Sequence, residues 1–210
     1  MNFLFVGVQA SGKGTQAKIV AEKLNLCHIS TGDILRAATG ELKELADAYI
    51  KKGKLVPSKI IIRILKERIK RPDCKNGIIL DGFPRNLEQA EHLEEIMQID
   101  NVFEIRITDE TAKKRLMGRW NCKKCNISYN TITCPKPKKD HICDVCGSGL
   151  YQREDDKDEE TIKKRLEIYH QDTEPILKKY KEKLISINGK QSIEKITNDI
   201  LESLKLNPRQ

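Results

Sequence analysis

Aromatic residues make up only 5% of the 210 positions, and no apolar run approaches the roughly eighteen residues that a membrane-crossing helix needs. No basic stretch precedes a long apolar segment at the N-terminus, so no secretory leader is expected and a cytoplasmic protein without membrane contact is predicted. Internal repeats and long low-complexity stretches are lacking too. Arginine is scarce at 11 against 28 Lys, so the generic surface charge is carried by Lys. Core material is present: 38% of residues are hydrophobic, which excludes a disordered tail protein. The length suits one α/β core with small insertions and is short for two independent enzymatic domains. A formal net charge of +8 suggests anionic partners without choosing among nucleotides, nucleic acid and a membrane surface.

Short apolar runs at Asn2 to Val6, Ile78 to Leu80, Val102 to Ile107 and Leu184 to Ile187, with Cys27 to Ile29 as a further candidate, alternate with helix-period segments. That alternation predicts a parallel sheet covered by helices. Two segments break the rhythm. Residues 30–59 read as short helices without a strand, starting from Thr31 as a possible N-cap. Residues 119–156 hold a basic, Pro-interrupted run (Pro135 to Lys139) and a Gly-Ser-Gly turn with almost no helical periodicity, and so predict a small separate lobe. The remaining segments 1–29, 60–118 and 157–210 form the core, with a long polar helix expected from Asp158 to about Lys183.

The 7 Cys are an odd number, and four form two Cys-x-x-Cys pairs, Cys122 with Cys125 and Cys143 with Cys146, seventeen residues apart. Two such knuckles bring four thiolates within tetrahedral reach of one Zn²⁺ and leave no open position for catalysis, so a structural zinc site is expected. Cys134 and His141, outside the knuckles, rank second as ligands; Cys27 and Cys74 read as buried or free thiols.

Gly7-Val8-Gln9-Ala10-Ser11-Gly12-Lys13-Gly14-Thr15 follows one strand and opens a helix. In that context small residues let backbone N–H groups converge on phosphate oxygens at the positive end of the helix dipole, with Lys13 reaching the β- and γ-phosphates. The hydroxyl residue Thr15 comes one position later than in the general P-loop pattern.

This late Gly-Thr pair resembles the loop of the adenylate kinases and their nucleoside monophosphate kinase relatives. The resemblance continues through Ser30-Thr31-Gly32-Asp33 with Arg36, Asp81-Gly82-Phe83-Pro84-Arg85 with Gln89, Gly118-Arg119, Gln152-Arg153-Glu154-Asp155-Asp156 and Arg165. It spans nearly the whole chain and implies a P-loop fold, with 30–59 as a monophosphate-binding insertion and 119–156 as a zinc-binding lid. Gln9 and Ala10 depart from the family's usual Pro and Gly. A methyl group at Ala10 predicts an ordinary φ there and a slightly altered loop.

All six basic positions that match the family's phosphate contacts outside the loop are Arg: Arg36, Arg85, Arg115, Arg119, Arg153 and Arg165. In a chain that otherwise favours Lys, that choice fits phosphoryl recognition, because the planar guanidinium holds two oxygens at once and keeps its charge. The resemblance implies ATP on Gly7, Ala10, Ser11, Gly12, Lys13, Gly14 and Thr15, with Arg115, Arg119 and Gln191. It implies AMP between Thr31, Arg36, Lys54, Val56, Gly82, Arg85 and Gln89, with Arg153 and Arg165. Arg153 and Arg165 would reach the transferred group, joining Lys13, Arg85 and Arg119 in catalysis. Asp81 and Asp33 would hold Mg²⁺ through water.

The implied activity is reversible, magnesium-dependent transfer between ATP and AMP to give two ADP, without a covalent intermediate. Other readings stay open: a UMP/CMP kinase, a GTP-using AMP kinase, a non-catalytic nucleotide-binding regulator, or a zinc-ribbon module on nucleic acid. The last lacks a cluster of stacking aromatics beside its basic run. Oligomeric state is not legible.

Overall fold

The computed structural model describes residues 1–206. The chain runs β1 (Asn2–Val6), α1 (Lys13–Leu24), β2 (Cys27–Ser30), α2 (Thr31–Ala37), α3 (Gly40–Ile50), α4 (Ser58–Ile69), β3 (Ile78–Asp81), α5 (Leu87–Ile96), β4 (Asn101–Arg106) and α6 (Asp109–Met117). It continues through β5 (Arg119–Cys122), β6 (Ser128–Asn130), β7 (Leu150–Tyr151), α7 (Glu159–Ile168), α8 (Glu174–Lys179), β8 (Leu184–Asn188) and α9 (Ile193–Leu206). Five strands form a parallel sheet in the order β2-β3-β1-β4-β8, and β5, β6 and β7 form a separate antiparallel sheet. This is the expected parallel sheet covered by helices, consistent with a P-loop fold.

Alternation along β1 sorts its side chains between two apolar layers. Phe3 and Phe5 pack with Ala17 and Val20 of α1, Phe103, and Ile196 and Ile200 of α9. Phe3 meets the Phe103 ring edge-on, with centroids 5.6 Å apart. Leu4 and Val6 face the opposite layer, where Ile62 and Leu65 of α4, Leu93 of α5, Leu166 of α7 and Ile176 of α8 close over them. A sheet covered on both sides explains why its central strands read as unbroken apolar runs.

β1 sits between β3 and β4: the chain runs first to the edge at β2, returns to β3 beside β1, and then crosses to β4 and β8. A crevice opens beside such a switch point at the C-terminal ends of the strands. The phosphate-type loop leaves β1 there, Asp81 ends β3, and Ser30 lies next to it in register.

Two local expectations are corrected. The N-cap of α2 is Ser30, whose hydroxyl accepts from Asp33 N at 3.3 Å, whereas Thr31 is the first helical residue and donates through Oγ1 to Gly82 O at 2.9 Å. The long polar helix is interrupted by a π-helical turn over Tyr169–Thr173 before α8, and ends in a 3₁₀ turn over Lys181–Lys183. Pro175 lies just inside α8, lacks an N–H and crowds the preceding turn, which breaks the regular ladder. The widened turn brings Thr173 Oγ1 within 2.8 Å of Arg85 O, tying the helix to the loop after β3.

Candidate active site

One cavity of about 1350 Å³ opens at this crevice, and every nucleotide-site and magnesium-site position named from the sequence except Gly7 lines it. Gly7 instead lines an adjoining pocket of about 30 Å³ beneath the loop. The loop delivers Lys13 as the first residue of α1, just after Gly12, whose φ of 101° suits glycine. Gly14 explains the displaced hydroxyl residue: a Cβ there would come within 2.8 Å of Asp81 Oδ2, so the loop and the strand-end carboxylate can approach only at glycine.

Ala10 overturns the expected backbone. Its φ is 59°, in the left-handed region, where a β-carbon costs about 1–2 kcal/mol. Neighbouring contacts hold it there. Gln9 Nε2 donates to Arg165 O at 3.1 Å, and the Arg115 guanidinium donates to Ala10 O at 3.4 Å, Ser11 O at 3.2 Å and Gly189 O at 3.0 Å. Arg115 therefore clamps the loop against the turn after β8. Gln191, beyond that turn, is bonded to Asn188 O and Asp199 Oδ2.

The remaining five arginines converge from five segments. Arg119 makes a bidentate pair with Asp156, both contacts at 2.8 Å, and Arg165 reaches Asp156 Oδ1 at 2.7 Å and Asp155 Oδ2 at 3.0 Å. Among the described residues Arg153 reaches only Asn121 Oδ1, at 3.3 Å, and its buried Nε has no partner. Arg85 donates through Nε to Gly82 O at 2.8 Å, and its backbone N–H is held by Gln89 Oε1 at 2.8 Å. Arg36 is paired with Asp33 Oδ1, and the other oxygen of Asp33 accepts from Asn126 Nδ2 of the small sheet at 3.0 Å.

The cations outnumber the carboxylates that face them. Burial, followed by repulsion from Arg85, Arg119 and Arg165 against the pull of Asp81, pushes the Lys13 ammonium down to about 8. Burial and neighbouring guanidinium groups likewise press Arg85 and Arg153 below the ordinary guanidinium range. Asp81 is held below the usual carboxylate range: burial opposes its charge, but the neighbouring His28 and the charge of Lys13 outweigh that. A buried pocket with surplus positive charge is one that a polyanion completes.

Sequence reasoning did not single out four contributors by role. Asp155 and Asp156 orient two of the arginines, His28 backs Asp81 with Nε2 at 3.7 Å, and Asn126 reaches Asp33. The acidic pair directly after Arg153 was a usable signal, as was a lone histidine inside an apolar strand. Asn126 carried none, because it meets Asp33 across 93 positions of chain.

Beside the small sheet, the Sγ atoms of Cys122, Cys125, Cys143 and Cys146 lie within 4.8 Å of one another. Both knuckles close alike: Asn126 N donates to Cys122 O and Gly147 N to Cys143 O, each at 2.9 Å, with positive φ at Asn126 and Gly147. Four converging thiols without a carboxylate or an open position suit zinc. Cys134 and His141 lie outside the group, and His141 instead packs on Trp120 with centroids 4.1 Å apart. No helix among the described residues is long and apolar enough to cross a membrane.

A family model described as adenylate kinase matches residues 5–185. An adenylate kinase of Caldicellulosiruptor saccharolyticus is 46% identical over 214 positions, covering 97% of this chain and 99% of that protein. An adenylate kinase of Archaeoglobus fulgidus is 45% identical over 218 positions, covering 98% and 100%, and one of Bacillus licheniformis is 44% identical, covering 97% and 98%. Likeness along essentially full length joins with a loop, a strand-end acid and an arginine cluster gathered on one cavity. The chain belongs to the adenylate kinase family and is a nucleotide phosphotransferase.

Proposed function

We propose that the protein interconverts ATP and AMP with two molecules of ADP, and that the surplus of buried cations around one cavity is the feature that performs the chemistry. The donor lies along the loop, with Lys13 and Arg119 on its phosphates and the turn at Gly189 to Gln191 beside its base. The acceptor lies between α2 and α5: Arg36 and Arg85 hold its phosphate, Thr31 and Gln89 face its base, and Lys54, Val56 and Gly82 close the pocket. Arg153 and Arg165 reach the transferred group. Transfer of this kind asks for in-line alignment and neutralisation of charge on the equatorial oxygens, and these side chains supply both.

Asp81 fits a magnesium role as an ionised, buried carboxylate at the strand end beside Gly14, with Asp33 across the cavity. Magnesium bound with the nucleotide would be held through Asp81 and Asp33 and would supply neutralisation of the charge that develops on the transferred group.

The helices α2 and α3 form one cover and the three-stranded sheet a second, each closing over the cavity before transfer so that water is excluded. Asn126 ties the two covers directly through Asp33. Asn126→Gly suits the φ of 55° at that position and removes only the amide. Loss of a hydrogen bond worth about 0.5–1.5 kcal/mol is expected to raise the KM for the acceptor about 3–10-fold with the metal content unchanged. An unaltered KM would show that the covers close independently of this contact.

The four cysteines hold structural zinc that stabilises the second cover as a unit. Chelation from a demonstrated zinc-loaded sample is expected to lower both the melting temperature and turnover; no change in either would remove that role.

Lys13 links nucleotide binding to pH. In the empty cavity its ammonium releases its proton near pH 8, whereas beside a phosphate it returns toward the ordinary 10.5. Between those values binding takes up a proton, so affinity falls as pH rises through 8. Calorimetry at pH 9 in two buffers of different ionisation enthalpy reads this uptake; its absence would place Lys13 away from the phosphates.

The primary assay offers Mg-ATP with AMP, UMP, CMP or GMP, and repeats the AMP reaction with GTP as donor. ADP formation with AMP alone is expected. Transfer to a pyrimidine acceptor would move the assignment within the nucleoside monophosphate kinases, and no transfer from folded, zinc-loaded protein would refute the reading.

A further inference from the structure

A second pair of thiols lies at the start of the edge strand β2, at the other end of that strand from Ser30. Cys27 begins β2, and Cys74 ends the 3₁₀ turn Pro72–Cys74 that follows α4. Their side chains are 5% and 8% exposed, and the Sγ atoms are 2.7 Å apart, against roughly 2.0 Å for a covalent sulfur–sulfur bond. The surrounding groups are polar. Cys27 Sγ lies 3.5 Å from Asp73 Oδ2, and Arg68 Nη1 donates to Cys74 Sγ at 3.0 Å while the same guanidinium pairs with both oxygens of Asp73 at 2.9 and 2.6 Å.

These ligand types would also suit a metal, since Cys27, Asp73 and Cys74 bring their ligand atoms within 4.8 Å of one another. Arg68 argues against a cation: it occupies the carboxylate and places its own positive charge on the cluster. Arg68 Nη1 donates to the Cys74 sulfur, whereas the Cys27 thiol is turned toward Asp73 Oδ2, so the first attack is assigned to Cys74 and Cys27 resolves it.

We propose that Cys27 and Cys74 form a reversible, peroxide-responsive cross-link that closes residues 28–73 into a loop. The Cys74 sulfur attacks one oxygen of hydrogen peroxide, the O–O bond breaks, and the departing hydroxide takes a proton to become water, leaving a sulfenic acid on Cys74. The Cys27 sulfur then attacks Cys74 Sγ, its proton passes by way of Asp73 to the leaving hydroxide, and a second water departs as the disulfide forms. Two thiols are oxidised and one peroxide is reduced. The closed loop contains α2, α3 and α4, so the bond pins the segment between β2 and β3 at both of its roots. The effect falls on the unfolded chain, whose freedom a loop of this length restricts.

The test treats zinc-loaded protein, carrying Cys134→Ser to remove an exposed competing thiol, with hydrogen peroxide. The expected result is loss of two hydrogen atoms in intact mass, a linked peptide containing Cys27 and Cys74 in a non-reducing digest, and retained zinc. A melting temperature higher by roughly 5–15 °C is also expected, from closing a loop of this length in a protein of this size. A dithiol reductant should reverse both changes, and Cys27→Ser should abolish them. Cys74 trapped as a sulfinic acid, oxidation of the zinc-lobe cysteines without a linked peptide, or a second zinc lost on Cys27→Ser would each overturn the proposal. The peptide digest of otherwise unaltered protein reads the cross-link whether or not the Cys27 variant folds.

Discussion

Arg85→Ala is expected to lower kcat about 10²–10³-fold while the fold survives, by the measure of what removing one preorganised charge from a transition state costs. Arg85 and Arg153 are the least committed of the site's guanidinium groups. In Arg85 only Nε meets the protein, at Gly82 O, and its two terminal nitrogens make no hydrogen bond among the described residues. Burial and the charges of Arg165 and Arg36 oppose its own charge, so the empty site holds it at a disadvantage that a phosphate group relieves. Truncation therefore removes charge from the reacting centre and also relieves repulsion in the free protein, and the melting temperature without nucleotide should hold or rise. Arg85→Lys restores the charge without the planar fork and should recover only part of the rate. Steady-state kinetics together with thermal unfolding decide the matter: near-normal turnover in the alanine variant would remove Arg85 from the site.

Asp156→Ala is expected to have the largest effect on stability. Its side chain is fully buried and ties Arg119 of β5 to Arg165 of α7, so removal strands two guanidinium groups in a dry pocket. Breaking a buried ion pair from one side costs about 3–5 kcal/mol, which for a chain of this size lowers the melting temperature by roughly 6–20 °C. Saturating nucleotide should rescue the variant more than the parent, because the incoming anion replaces the missing carboxylate. Acid should act in the same direction on the parent. Burial opposes the charge on Asp156, but the two arginines outweigh it and hold the carboxyl below its ordinary value. Its contribution is therefore complete above the unfolded value near 4 and is lost as pH falls through the lower folded value. An alanine variant with unchanged melting temperature and equal nucleotide rescue would show that the arginines are oriented by other groups.

These two residues mark the boundary between what was legible and what was not. Arg85 follows Asp81-Gly82-Phe83-Pro84 in a recognisable run, and its type already suggested phosphate. Asp156 stands in an equally visible run, yet nothing local says that its carboxylate is buried or which two arginines it holds. Ala10 failed for a similar reason: local propensity places alanine at ordinary φ, and the contacts of Gln9 with Arg165 and of Ala10 with Arg115, both partners distant in the chain, impose the left-handed turn. The long polar helix was foreseen as an element, whereas the π turn and its contact with Arg85 O depended on packing around Pro175.

The order of strands, loop and helices, the zinc-type spacing of four cysteines and the preference for Arg at phosphate positions were all written in the chain, because each depends on residue type and short-range spacing. The pairing of Asp156 with Arg119 and Arg165, the reach of Asn126 to Asp33, the backing of Asp81 by His28 and the meeting of Cys27 with Cys74 were settled only by the tertiary structure. Charge balance and burial at those points arise where segments far apart in the chain come together, and no local pattern encodes the distance between them.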